Sequence, residues 1–204
     1  MQLVYGTLND AKLHTMREIL SPLPIRITGL HAVKAALPDV DENGRDPLQN
    51  AVIKATAYYK VLKQPVFSCD SGLFIKELPE GEQPGVHVRN IGGKRLSDDE
   101  MIAHYAGISR RFGGACHAVY RNAICFIYDD THIYRQMGGA ISGETFLLSS
   151  IPHKNRREGF PLDSLSKQIE SGKYYYDLNK EITVGTGEGF LRFFREVLED
   201  LKNL

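Results

Sequence analysis

Three stretches of this chain carry side chains suited to phosphate and hard-cation chemistry. The first is Phe67-Ser68-Cys69-Asp70-Ser71-Gly72-Leu73, where an apolar, β-prone run from Val66 meets a carboxylate, a hydroxyl and a glycine. A carboxylate holds a hard cation through oxygen, and glycine lets the backbone turn tightly or approach a ligand. Asp, Ser and Gly are also ordinary turn formers. On these residues alone, a turn between Val66-Phe67 and a second strand from Leu73 to Leu78 is the better reading. The second stretch is Thr7-Leu8-Asn9-Asp10-Ala11-Lys12, which leads from a short apolar run into a helical pattern. Free N–H groups and the helix dipole favour a phosphate at such a place, and Lys12 adds a positive charge. The alternative is a capped helix with a solvated lysine. The third is the acidic, irregular segment Leu37 to Gly44, in which Glu42 could reach a metal or simply face water.

The elements that must hold these residues follow from periodicity. Leu3-Val4-Tyr5 reads as a buried strand. Leu13, Met16, Ile19 and Leu20 give the next helix an apolar face, with Asn9 or Asp10 as cap and Pro22 beyond its end. Ile25 to Thr28 alternates as a second strand. Asp46-Pro47-Leu48-Gln49 is a strong helix start, with Asp46 as cap, Pro47 at the first position and Gln49 reaching back as in a capping box. Leu48, Val52, Ala55, Tyr59 and Leu62 are its expected apolar face. Ser97 to Glu100 forms another capping box, opening a helix that ends at Gly113-Gly114. Ala118 to Tyr128 is a long β-prone run that Asp129-Asp130 turns back into His132-Ile133-Tyr134. Thr145 to Leu148 is a further strand. A last helix from about Glu188 is expected to bury Leu191, Phe194, Leu198 and Leu201. Strands alternating with helices, then hairpins, predict an α/β fold: a mixed twisted sheet flanked by helices, in two lobes with a central cleft.

Composition narrows the classes. The chain has 204 residues, enough for a single domain over 1–204. Lys plus Arg and Asp plus Glu are 25 each, so no global basic field argues for nucleic acid or a membrane surface. No apolar run approaches a membrane span, and the start of the chain lacks the basic-then-apolar pattern of a signal peptide. Cys69, Cys116 and Cys125 have neither disulfide nor zinc spacing, so reduced thiols and a cytoplasmic location are expected.

In order along the chain, these stretches resemble the inosine triphosphate pyrophosphatase family, which hydrolyses non-canonical purine nucleoside triphosphates. Thr7 to Lys12 resembles its T-G-N-x-x-K signature. Glu42-Asn43-Gly44 and Asn50-Ala51 resemble E-x-G…E-N-A. Cys69 to Leu73 resembles D-D-S-G-L, Pro84-Gly85-Val86 matches P-G-V, and Gly159 to Asp163 stands where G-F-G-Y-D is usual. The departures are Leu8 for glycine, Gln49 for glutamate, Cys69 for an acid, and Pro161-Leu162 for Gly-Tyr. Val184-Gly185 stand where the family has a His-Arg pair that reads the base.

The resemblance implies magnesium-dependent hydrolysis between the α- and β-phosphates. It implies Glu42 and Asp70 as metal carboxylates, with Asp70 also orienting or deprotonating the attacking water and Lys12 sharing the catalytic work. Thr7, Asn9, Lys12, Ser71 and Lys180 would contact the nucleotide. Phe160 would stack on the base and Asp163 would accept its hydrogen bonds. The bland alternatives are a core aromatic at Phe160 and a helix cap at Asp163. A homodimer is implied by resemblance alone. The competing readings are a nucleotide-binding or regulatory protein that has lost efficient catalysis, and an unrelated interaction domain.

Overall fold

The computed structural model describes residues 1–178 and 186–203. Its strands are β1 (Gln2–Tyr5), β2 (Arg26–Gly29), β3 (Val66–Ile75), β4 (Asn90–Ile91), β5 (Lys94–Arg95), β6 (Ala115–Ile127), β7 (Ile133–Met137), β8 (Phe146–Ser149) and β9 (Ser166–Lys167). Its helices are α1 (Asp10–Leu20), α2 (Pro47–Leu62), α3 (Asp98–Arg111) and α4 (Thr186–Leu201). The main sheet runs β2-β1-β3-β6-β8-β9, with β7 also paired to β6. β1 pairs parallel with β2 and β3, whereas β6 pairs antiparallel with β7 and β8. The mixed α/β sheet with flanking helices is thus the one that the alternation predicts.

The described residues fall into two compact units. One takes Met1–Ser71, Arg121–Gly143 and α4; the other takes Gly72–Tyr120 and the described residues from 144 to 178. In the first, strand alternation sorts side chains to two faces. Leu3, Tyr5, Phe67, Ile124 and Phe126 join α1 and α4 in one core, and Val4, Val66, Ala123 and Cys125 join α2 in another. In the second unit, α3 packs Met101, Tyr105 and Ile108 with Leu73, Ile75, Phe146 and Leu148. Its capping box is formed as expected, Ser97 and Glu100 each bonding the other's backbone N–H.

Four expectations are corrected. Asp70-Ser71-Gly72 is no turn: β3 runs straight through it. Gly72 is needed for a close approach instead, because a Cβ there would lie 3.1 Å from the Gly85 carbonyl oxygen. Leu73 and Gly85 exchange both backbone hydrogen bonds at 2.9 and 3.0 Å, which leaves no room between the segments.

The buried stripe of α2 is rotated from Leu48/Val52/Tyr59/Leu62, which pack only partly, to Asn50, Ala51, Lys54, Ala55 and Tyr58. Two polar residues can occupy that stripe because both are bonded there. At the start of α2, Asp46 Oδ1 accepts from the Gln49 N–H at 2.8 Å. Gln49 Oε1 accepts from Arg45 N at 3.1 Å, one residue before the cap, so the box is not the regular one. In α4 the buried residues are Phe190, Phe193, Phe194 and Val197; Leu191 and Leu201 pack at the margin and Leu198 is only half-buried. Phe194 sets that rotation, with its ring 5.1 Å from Phe67 and 5.8 Å from Phe126.

Candidate active site

Parity along β3 decides where Asp70 points. Val66 faces α2 and Phe67 faces α1 and α4, so Ser68 and Asp70 fall on the α2 side and Cys69 on the other. On that side, two residues one helical turn apart on α2 meet Asp70. Asn50 Nδ2 donates to Asp70 Oδ2 at 3.0 Å. Lys54 Nζ donates to Asp70 Oδ1 at 3.2 Å and to Glu42 Oε2 at 2.7 Å. The Asn50 carboxamide oxygen accepts from Gly44 N at 2.8 Å, which pins the acidic segment carrying Glu42. Asn50 is 2 % exposed and Lys54 9 % exposed, so this is an interior network with one open end at Glu42.

Lys12 enters the same electrostatic neighbourhood. Burial, then the charge of Lys54, push its pKa down, while Asp70 and Glu42 pull it back. Burial also acts to lower Lys54, but Asp70 and Glu42 outweigh it and the net shift is upward. The structure therefore brings together Lys12, Glu42 and Asp70 of the expected residues. It adds Asn50 and Lys54, which sequence reasoning gave no role. The available signal was their spacing of four on a helix whose buried stripe also holds Ala51 and Ala55.

Thr7 and Asn9 shape the loop ahead of α1. Thr7 Oγ1 accepts from Asn9 N at 3.2 Å, and Asn9 Oδ1 accepts from Lys12 N at 3.1 Å. The capped helix is real, and its cap holds the first turn that carries Lys12. Ser71, next along β3, projects opposite to Asp70 and is not joined to this network. The Cys69 thiol is pushed up to about 12, chiefly by burial, and is inert as a nucleophile at neutral pH.

The other expected residues lie in the second unit. Phe160 precedes a 3-10 helix, Pro161–Leu165, so Asp163 sits inside that helix and does not cap one starting at Ser164. The Arg157 guanidinium lies 4.4 Å from the Phe160 ring centroid, and Arg156 bonds the carbonyl of His153 in its own loop. The Tyr176 hydroxyl is buried without a hydrogen bond among the described residues. Lys180, like Thr183, Val184 and Gly185, lies outside the described residues.

Burial raises the Asp163 carboxyl to about 6, with Arg157 pulling it back. A carboxyl raised on folding favours the folded state most when protonated. That contribution is complete below the unfolded value of about 4 and is lost as the pH rises through about 6. Asp163→Asn is expected to flatten this loss by about 1–2 kcal/mol, the figure being reduced for partial exposure. Urea unfolding of both proteins at several pH values between acid and neutral checks it; parallel profiles would rule it out.

Among the described residues no three His, Cys, Asp or Glu side chains gather as a metal cage. Glu42 and Asp70 nonetheless direct one oxygen each at a single cation, the Lys54 ammonium. Two hard oxygen donors fit magnesium, which takes one or two carboxylates and completes its shell with phosphate and water. An open groove of about 710 Å³ elsewhere, lined by Tyr134, Arg192, Phe193 and Asp200 among others, contains none of these groups.

The profile of the Ham1 family matches residues 3–165. The chain belongs to the Ham1 family. A Ham1 protein from Coxiella burnetii has the same fold, with a TM-score of 0.75 at 22% identity over 98% of this chain and 99% of that one. The Ham1 protein of Staphylococcus aureus has a TM-score of 0.70 at 22% identity, with the same coverage of 98% and 99%. A curated relative named dITP/XTP pyrophosphatase, from Coxiella burnetii, is 33% identical over 102 residues, 50% of this chain and 49% of that protein. Another of that name, from Geobacillus kaustophilus, is 34% identical over 102 residues, 50% of this chain and 48% of that protein. The chain spans about half the length of these curated relatives that it matches. The family resemblance drawn from the motifs is borne out. Within this Ham1 chain, the match includes Lys12, Glu42, Asn50, Lys54, Asp70, Phe160 and Asp163, and stops before Lys180.

Proposed function

We propose that this Ham1 chain hydrolyses a nucleoside triphosphate to the monophosphate and pyrophosphate. The observation that carries the reading is the hydrogen-bonded network of Glu42, Lys54, Asp70 and Asn50, whose charges the buried Lys12 feels. Phosphoryl chemistry needs charge neutralisation and a held water more than covalent participation. Lys54 and Lys12 supply positive charge for phosphate oxygens. The N–H groups of the Thr7–Lys12 loop add donors at a helix start. Asp70, fixed by Asn50, accepts a hydrogen bond from the attacking water and takes its proton. Glu42 and Asp70 would hold a magnesium ion, which supplies further neutralisation of phosphate charge when bound.

At the base end, Phe160 would stack and Asp163 would accept from a ring N–H. The name shared by the curated relatives supports deoxyinosine and xanthosine triphosphates as first substrates to try. A homodimer and a cytoplasmic setting belong to the same proposal.

The test is pyrophosphate release with magnesium across inosine, xanthosine and the common ribo- and deoxynucleoside triphosphates. Release is expected from at least one oxopurine substrate, well above the common nucleotides. Nucleotide binding without release from any member would move the assignment to a binding protein that has kept the fold.

A further inference from the structure

Among the described residues, Lys54 is the one side chain shared by both candidate metal carboxylates, at 2.7 Å from Glu42 and 3.2 Å from Asp70. We propose that Lys54 is the resident counter-cation of this carboxylate pair, and that a divalent cation enters only together with a phosphate chain that takes Lys54 over. The inference rests on the nucleotide reading above and adds an order of loading to it.

Three observations support it. First, both oxygens of Asp70 are already engaged, Oδ2 by Asn50 at 3.0 Å and Oδ1 by Lys54 at 3.2 Å, so an ion reaching Oδ1 would share it with an ammonium. Second, the Lys54 side chain is 11% exposed. A buried ammonium that gave up both carboxylates would be left largely unsolvated and unpaired, which is strongly unfavourable. It needs a replacement anion before it can leave. Third, both carboxylates already face the Lys54 ammonium, and a divalent ion arriving alone would add like charge directly beside it. A phosphate chain brings the negative charge that makes the ion welcome and offers Lys54 new acceptors. Glu42, the more open carboxylate at 46% side-chain exposure, is the natural first contact for the incoming ion.

The probe is Mn2+ as a magnesium substitute, with free Mn2+ followed by electron paramagnetic resonance. The intact chain is titrated alone and with a non-hydrolysable α,β-methylene inosine triphosphate. Wild type alone is expected to bind Mn2+ weakly, and the analogue to raise its affinity by about tenfold or more. Lys54→Met should bind Mn2+ without nucleotide about tenfold or more tightly than wild type. Lys54→Arg keeps the charge and should stay weak. Thermal melts establish that each variant folds. If Lys54→Met does not, Lys54→Gln, which keeps a donor and loses the charge, is read by the same criterion. Equal Mn2+ affinity of wild type and the neutral variant would overturn the proposal. The nucleotide-free arms are readable even if no pyrophosphate is released in the substrate panel, so the two ideas can fail separately.

Discussion

Asp70→Asn is expected to lower pyrophosphate release by about 10²–10⁴-fold, the range that losing a positioned acid–base group costs. The substitution keeps the shape of the side chain and removes its charge and its basicity. Lys54 retains Glu42 at 2.7 Å, so the ammonium is not stranded. Asn50 stays tied to Gly44 through its carboxamide oxygen. The fold around α2 and β3 should therefore persist, and the melting temperature should move little against the loss of turnover. The pair of measurements separates chemistry from structure: a stable, inactive protein supports the assignment. Normal turnover with Asp70→Asn would remove Asp70 from the machinery. It would leave the Glu42–Lys54 pair as a structural ion pair and little more.

The parts of this site that were legible in the sequence were those written in local patterns. Asn9 as the cap of α1 and Ser97-Glu100 as a capping box depend on a few neighbouring residues, and both formed. Asp70 and Glu42 stand out through the family motifs they resemble, whereas their own residues read as a turn and a solvated acidic loop. What was lost followed from one misreading. A turn at Asp70-Ser71-Gly72 resets the alternation of faces, whereas a continuous strand carries it from the buried Val66 and Phe67 straight to Asp70. With the strand intact, Asp70 must face α2, and the polar pair at spacing four on that helix becomes its partner.

The apolar faces of α2 and α4 were misplaced for a related reason. Periodicity finds a stripe of large hydrophobics, but tertiary contacts choose which stripe is innermost. In α2, Asn50 and Lys54 are innermost because Gly44, Glu42 and Asp70 satisfy them. That satisfaction is set by residues distant in sequence and is invisible to a window of one helix. Around Phe160 the environment comes from its own loop: the Arg157 guanidinium lies over the ring, and Asp163 sits within the 3-10 turn Pro161–Leu165, which short-range patterns do not announce.

Two glycines in the first turns of α4 give the sharpest contrast in stability. A Cβ on Gly189 would lie 1.9 Å from the Ala140 carbonyl oxygen and 2.3 Å from its carbon. Those are backbone atoms, and their segment cannot retreat easily. Ile141, its neighbour, is fully buried. The Ile141 carbonyl accepts from Asn122 Nδ2 at 2.8 Å, and Gly138 N donates to the Asn122 carbonyl at 3.0 Å, so β6 holds the turn from both ends. Gly189→Ala must therefore displace α4, and with it Phe190, Phe193 and Phe194, from the core they share with Phe67 and Phe126. The expected cost is about 3 kcal/mol or more, which in a domain of this size lowers the melting temperature by about 6–12 °C. Gly187 is the control. Among the described residues, a Cβ there meets only the Ile19 side chain, at 3.4 Å. Gly187→Ala should be neutral or gain up to about 1 kcal/mol, since alanine restricts the unfolded chain more than glycine does. Thermal melts of the two variants beside wild type decide it: equal melting temperatures would mean that α4 does not press on the 139–141 turn as closely as the packing requires.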